Sequence, residues 1–286
     1  MRQLSIIAAL TAAVVAVVAV ILWGSDLEAP AKPAMVPATI ELATAPTPGE
    51  QPTTITAPAE PTIVPTPAKP TALPTPSARR MLPADRNQVL RYVALGDSAV
   101  YGVGASSPDR NYVSLLAARL RSVYPQTQVA NLGVPGATSA DVAGQQLRQA
   151  VAAKPNLITL SVGPNDITQG KDAQAYERNL NTILQTLTEE TDAVIVINLI
   201  PDLAVVPRFS GAMKDQVGRL TVRFNAAIER ATRTRDVVVV DLYRPSQQEI
   251  PRHPEQVSAD NYHPSDAGYA RWAELIWHDL EARIAT

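Results

Sequence analysis

Cysteine is absent from all 286 positions, which removes disulfides, thiolate metal sites and cysteine nucleophiles together. Histidine is nearly as scarce. Only His253, His263 and His278 occur, too few with too scattered a set of carboxylates to suggest a metal-ligand cluster. Charge is thin and balanced, at 18% of residues with a net of −2. No clustered basic face of the kind that grips nucleic acid is present. There is no internal repeat, no Walker loop and no G-x-G-x-x-G after a strand, so nothing points to a nucleotide cofactor.

What the chain has in abundance is unevenly spread. After Arg2 comes the stretch Leu4 to Trp23, without a single charge. At 1.5 Å per residue its twenty residues make a helix of roughly 30 Å, enough to cross a bilayer. A cleavable signal peptide has a shorter apolar core, about 7–15 residues, followed by a small-residue cleavage site. Residues 1–25 are therefore expected to be a retained signal-anchor, with Arg2 inside and the remainder outside. The alternative is a long signal peptide removed after Trp23, which would release a secreted protein.

From there to residue 86 the composition is Pro, Thr and Ala, with fourteen of the 25 prolines between Pro30 and Pro83. Such a segment cannot bury enough apolar surface to offset its ordering entropy. Residues 26–86 read as a disordered, semi-stiff stalk, of a composition that also resembles O-glycosylated spacers.

Residues 87–286 are enough for one ordinary core. Strands are expected at Tyr92–Leu95, Gln128–Asn131, Leu157–Val162, Ala193–Leu199 and Val237–Leu242. The runs AVIVINLI and VVVVDL are continuous enough to be covered on both faces. Between the strands, Tyr112, Leu116, Leu120 and Val123 recur at helical spacing, as do Tyr269, Ala273, Ile276, Leu280 and Ile284. Ser265 is a candidate N-cap for the last helix. Alternating strands and helices imply right-handed parallel βαβ units, hence a three-layer α/β/α sandwich on a mainly five-stranded parallel sheet.

In such a sheet the segments that follow the strands meet along one edge. Here they read GDS (Gly96–Ser98), NLGVPGATS (Asn131–Ser139) and GPND (Gly163–Asp166), with DNYHPS (Asp260–Ser265) just before the last helix. Singly each is an ordinary turn. Together they supply an acyl-transfer site. A serine hydroxyl needs a base, for which His263 is available, and Asp260 is three residues away to hold the imidazole. Backbone N–H groups at Ser98 and at a glycine, with the Asn165 amide, could stabilise the developing oxyanion. His278 falls opposite its helix's apolar stripe, and His253 lies in a Pro-rich loop with only Glu255 near it.

Over residues 90–286 the chain resembles the SGNH hydrolases, the GDSL-type esterases and lipases, whose four blocks occur here in order. The resemblance implies a flavodoxin-like fold. It makes Ser98 the nucleophile, Asp260 and His263 its triad partners, and Ser98, Gly136 and Asn165 the oxyanion hole. It implies no cofactor and no metal. Ala99 replaces the family's leucine, and Pro164 stands where Gly or Ala is common. The α/β-hydrolase elbow G-x-S-x-G is absent. The expected function is a membrane-tethered, extracytoplasmic serine esterase acting on short-chain acyl or O-acetyl esters of small molecules or glycans. A lysophospholipase or thioesterase of the same family is the alternative, and a catalytically silent carbohydrate- or lipid-binding module is a third.

Overall fold

The computed structural model describes residues 79–285. The expected anchor at Leu4–Trp23 and most of the Pro/Thr-rich stretch lie outside the described residues. Among the described residues no helix is long and apolar enough to cross a membrane.

Five parallel strands form one sheet in the order β2-β1-β3-β4-β5. They are β1 (Arg91–Gly96), β2 (Gln128–Asn131), β3 (Leu157–Ser161), β4 (Val194–Asn198) and β5 (Val238–Val240). The three central strands are buried almost throughout, as their mainly apolar runs require. Val237–Leu242 was expected to be another such strand, but β5 keeps only three residues. It lies at the sheet edge, where a strand has one neighbour, and Val239 is 36% exposed. A β-branched run reports burial and β-propensity, and neither fixes where pairing stops.

The helices are α1 (Ser98–Tyr101), α2 (Tyr112–Val123), α3 (Ser139–Asp141), α4 (Leu147–Ala152), α5 (Pro164–Thr168), α6 (Ala173–Glu190), α7 (Gly211–Thr232), α8 (Tyr243–Glu249) and α9 (Asp266–Leu280). Local chemistry starts them. The Asn111, Asp172 and Ser265 side chains accept from backbone N–H groups in the first turns of α2, α6 and α9, each such cap contributing about 1 kcal/mol. Alternate strand residues then bury opposite helix layers. Val93, Leu95, Ile158 and Ile195 face α6 and α7, where Tyr176 packs on Phe224 with centroids 4.7 Å apart. Tyr92, Ala94, Val194 and Val196 face the apolar stripes of α2 and α9. These layers are the expected sandwich.

The folded body reaches back before residue 87. Leu82 is buried, and its N–H donates to the Arg283 carbonyl at 2.7 Å. Arg80 donates to the carbonyls of Ala193 and Thr188. Arg80 and Leu82, assigned to the stalk, thus pack on the folded domain.

Candidate active site

Gly96 closes β1 with φ +144°, and a Cβ there would stand 1.9 Å from the Ser161 carbonyl oxygen, so only glycine fits. The Gln146 side chain clamps this residue, accepting from its N–H and donating to its C=O, both at 2.8 Å. Asp97 follows as the N-cap of α1, its carboxylate accepting from Ala99 N–H at 2.9 Å. Burial pushes the Asp97 carboxyl up to about 7. Ser98 is therefore the first residue of a short helix pinned to the strand end.

Across the sheet edge, the loop before α9 folds around Asp260. One carboxylate oxygen accepts from Ser258 Oγ at 2.7 Å and from the N–H groups of Tyr262 and His263, each at 2.9 Å. The other lies 2.5 Å from His263 Nδ1. Burial works against the charge, yet these hydrogen bonds, that of His263 foremost, hold the Asp260 carboxyl well below the usual range. His263 Nε2 in turn lies 2.8 Å from Ser98 Oγ. Three residues expected from sequence thus form one continuous hydrogen-bonded chain.

Gly136 and Asn165 come to the same place by cross-linked loops. Asp166 accepts from Ser139 N–H at 2.9 Å and Ser139 Oγ at 2.6 Å, joining the loop after β2 to α5. Asn165 Nδ2 donates to the Ala137 carbonyl at 3.0 Å, which leaves its second amide hydrogen free. Gly136 has φ +84°, and a Cβ built there would meet nothing within 4 Å, so the space beside this residue is open. Ser98, Gly136, Asn165 and His263 line an outer cleft of about 300 Å³. The segment GPND, which reads as a plain turn, is in fact the start of α5.

Ser98 and His263 also line a second, inner cavity of about 60 Å³, walled by Pro201, Leu203, Val206, Ile250, Val257 and Trp272. Tyr262 borders both spaces, its ring edge-on to that of His263 at 4.9 Å. Burial pushes its phenol up to about 12, so it remains protonated at neutral pH. Sequence reasoning missed Tyr262, Thr168 and Arg208, which also line the outer cleft. Only the adjacency of Tyr262 to His263 offered a signal. The other two histidines stay apart from this site: His253 meets Glu255 at 3.1 Å and His278 meets Glu281 at 3.6 Å, both on the surface. Among the described residues no cluster of three or more His, Asp or Glu side chains could hold a metal ion.

The chain is 28% identical over 205 residues to a GDSL-like esterase of Mycobacterium tuberculosis, covering 70% of this chain and 63% of that protein. It thus spans less than two thirds of that relative's length. It is 22% identical over 180 residues to an acetylxylan esterase of Geobacillus stearothermophilus, covering 59% of this chain and 80% of the relative. Its fold matches the crystal structure of a lipase/acylhydrolase from Enterococcus faecalis with a TM-score of 0.56 at 21% identity, over 68% of this chain and 97% of that one. The sequence model of the GDSL-like lipase/acylhydrolase family matches residues 94–271, and the chain belongs to that family.

Proposed function

We propose that this protein is an extracytoplasmic serine esterase that removes short acyl groups, O-acetyl above all, from small-molecule or glycan alcohols. The observation that carries the reading is the hydrogen-bonded chain from Ser98 Oγ through His263 to Asp260, at 2.8 and 2.5 Å. His263 Nε2 takes the Ser98 proton as Oγ attacks the ester carbonyl, and Asp260 stabilises the imidazolium that forms. The carbonyl oxygen becomes an oxyanion, met by the N–H groups of Ser98 and Gly136 and by the free hydrogen of the Asn165 amide. His263 then protonates the departing alcohol. Water, activated by the same imidazole, releases the acid and restores Ser98.

The two spaces beside Ser98 suit different halves of the ester. The inner cavity of about 60 Å³ has mainly apolar walls and offers room for about four water-sized groups, which fits acetyl to butyryl. The outer cleft is larger and more open, as an alcohol of sugar size requires. Similarity to an acetylxylan esterase favours the same division. The apolar segment Leu4–Trp23 supports tethering to a membrane with the domain outside the cytoplasm.

The test is a 4-nitrophenyl ester series from acetyl to octanoyl, with the full chain and with Ser98→Ala. The expected result is turnover that is highest for two to four carbons, declines by octanoyl and is lost in the variant. Equal turnover by Ser98→Ala would remove the serine from the mechanism. Carbonate extraction tests the tether: the protein should stay with the membranes, and release to the supernatant would argue for cleavage.

A further inference from the structure

The outer cleft carries a cation that the acyl-transfer chemistry does not use. Arg208 lies in the connection between β4 and α7 and lines the same cleft as Ser98, Gly136, Asn165 and His263. Its backbone N–H donates to the Asn261 carbonyl at 2.9 Å, and its guanidinium lies over the Tyr262 ring, 5.3 Å from the centroid. Both anchors belong to the loop that presents His263, so the charge is held in a fixed relation to the triad. Three other arginines show what a structural arginine looks like here: Arg230 pairs with Glu177, Arg271 with Glu249 and Arg283 with Asp236. Among the described residues Arg208 has no such carboxylate, and its guanidinium donates no hydrogen bond. Asp260, in the adjoining loop, is already engaged by His263, Ser258 and two backbone N–H groups.

Arg208 also lines a neighbouring groove of about 610 Å³, together with Thr168, Phe209, Met213 and Leu220. It therefore stands between the outer cleft and this groove, both of which it lines with Thr168. A planar fork of unused donors at that point matches a carboxylate, which it can bind with two parallel hydrogen bonds. The inner cavity, with its mainly apolar walls, is a poor place for such a charge. The anion must therefore sit on the alcohol half of the ester.

We infer that Arg208 is a specificity determinant that selects esters whose alcohol carries a carboxylate, as an acetylated acidic sugar does. The inference rests on the esterase reading above. It is tested with a pair of substrates that differ by one charge, 4-acetoxybenzoate and its methyl ester, hydrolysed by the full chain. Leaving-group reactivity differs between the two, so the quantity read is the ratio of their kcat/KM values compared between wild type and variants. Dividing one ratio by the other also cancels any general disturbance of the site by the substitution.

Arg208→Gln should lower the preference for the carboxylate about fivefold, near the upper end for a solvent-exposed pair. Arg208→Lys keeps the charge but loses the fork, and should retain part of the preference. In wild type the preference should shrink as salt is raised to about 0.5 M, because exposed charges are screened. A ratio unchanged in both variants would overturn the inference while the esterase reading stands. No turnover of either ester, with Ser98 unreactive to a fluorophosphonate, would overturn both.

Discussion

Asp260→Asn separates the roles of the two carboxylate oxygens. The oxygen that accepts from Ser258 Oγ, Tyr262 N–H and His263 N–H can be supplied equally well by an asparagine. The loop should therefore keep its shape. The other position becomes an amide NH2 facing His263 Nδ1, where a donor is wrong. To accept from it the imidazole must move its proton to Nε2, the atom that meets Ser98 Oγ, and an Nε2 already carrying hydrogen cannot receive the serine proton. The same substitution in a serine protease triad lowers kcat about 10⁴-fold. The Asp260 side chain is 42% exposed, so water can replace part of what is lost. We expect a fall of about 10³ in kcat, or about 4 kcal/mol in the barrier. The assay is steady-state hydrolysis of 4-nitrophenyl acetate, beside a thermal melt to verify folding. A kcat within tenfold of wild type, with an unchanged melt, would refute the tautomer argument.

Three other expectations follow from the geometry. Gly136→Ala puts a methyl group on a cleft-lining residue held at φ +84°, a conformation that a side chain disfavours, and so displaces its N–H; kcat should fall about 10²-fold, the scale of one lost oxyanion donor, and an unaltered kcat would take Gly136 out of the oxyanion hole. The Asp97 carboxyl, raised from 3.8 to about 7, binds its proton more tightly folded than unfolded, so its contribution to stability is complete below about pH 4 and is lost as pH rises through 7. Asp97→Asn keeps the acceptor for Ala99 N–H, so its melting temperature relative to wild type should climb between pH 5 and pH 8, and a constant difference would contradict the shift. Asp236→Ala strands the Arg283 guanidinium, whose side chain is 8% exposed, and should destabilise the domain by about 3 kcal/mol in denaturant titrations; a loss below about 1 kcal/mol would mean that water reaches Arg283.

The sheet and the Asp260–His263 pairing were legible because both are written locally. β4 is an uninterrupted apolar run, and Asp260 and His263 share one short loop. Ser98, Gly136 and Asn165 each follow a recognisable strand, so the parallel topology brought them to one edge. Features made by distant pairings were not legible. Gln146 clamps Gly96 from fifty positions away, and nothing near either residue announces it. Arg208 lies in a connection with no motif, and its stacking on Tyr262 arises only once that connection and the loop before α9 lie side by side. Residues 79–86 matched the stalk in composition, yet Leu82 and Arg80 find partners at the far end of the chain. Composition reports whether a segment can fold alone, and these residues fold on something else.

The separation of Ser98 from His263 by 165 positions has a bearing on the protein's own synthesis. The hydroxyl is made early and its base near the end, and only the closed sheet edge brings them into contact. On the proposed mechanism, until that contact forms the serine is an ordinary alcohol with no base to take its proton. A chain that has not reached His263 lacks the base and, on the same proposed mechanism, should not hydrolyse esters. On that mechanism reactivity waits for the contact between Ser98 and His263, and turnover would report that the two segments have met.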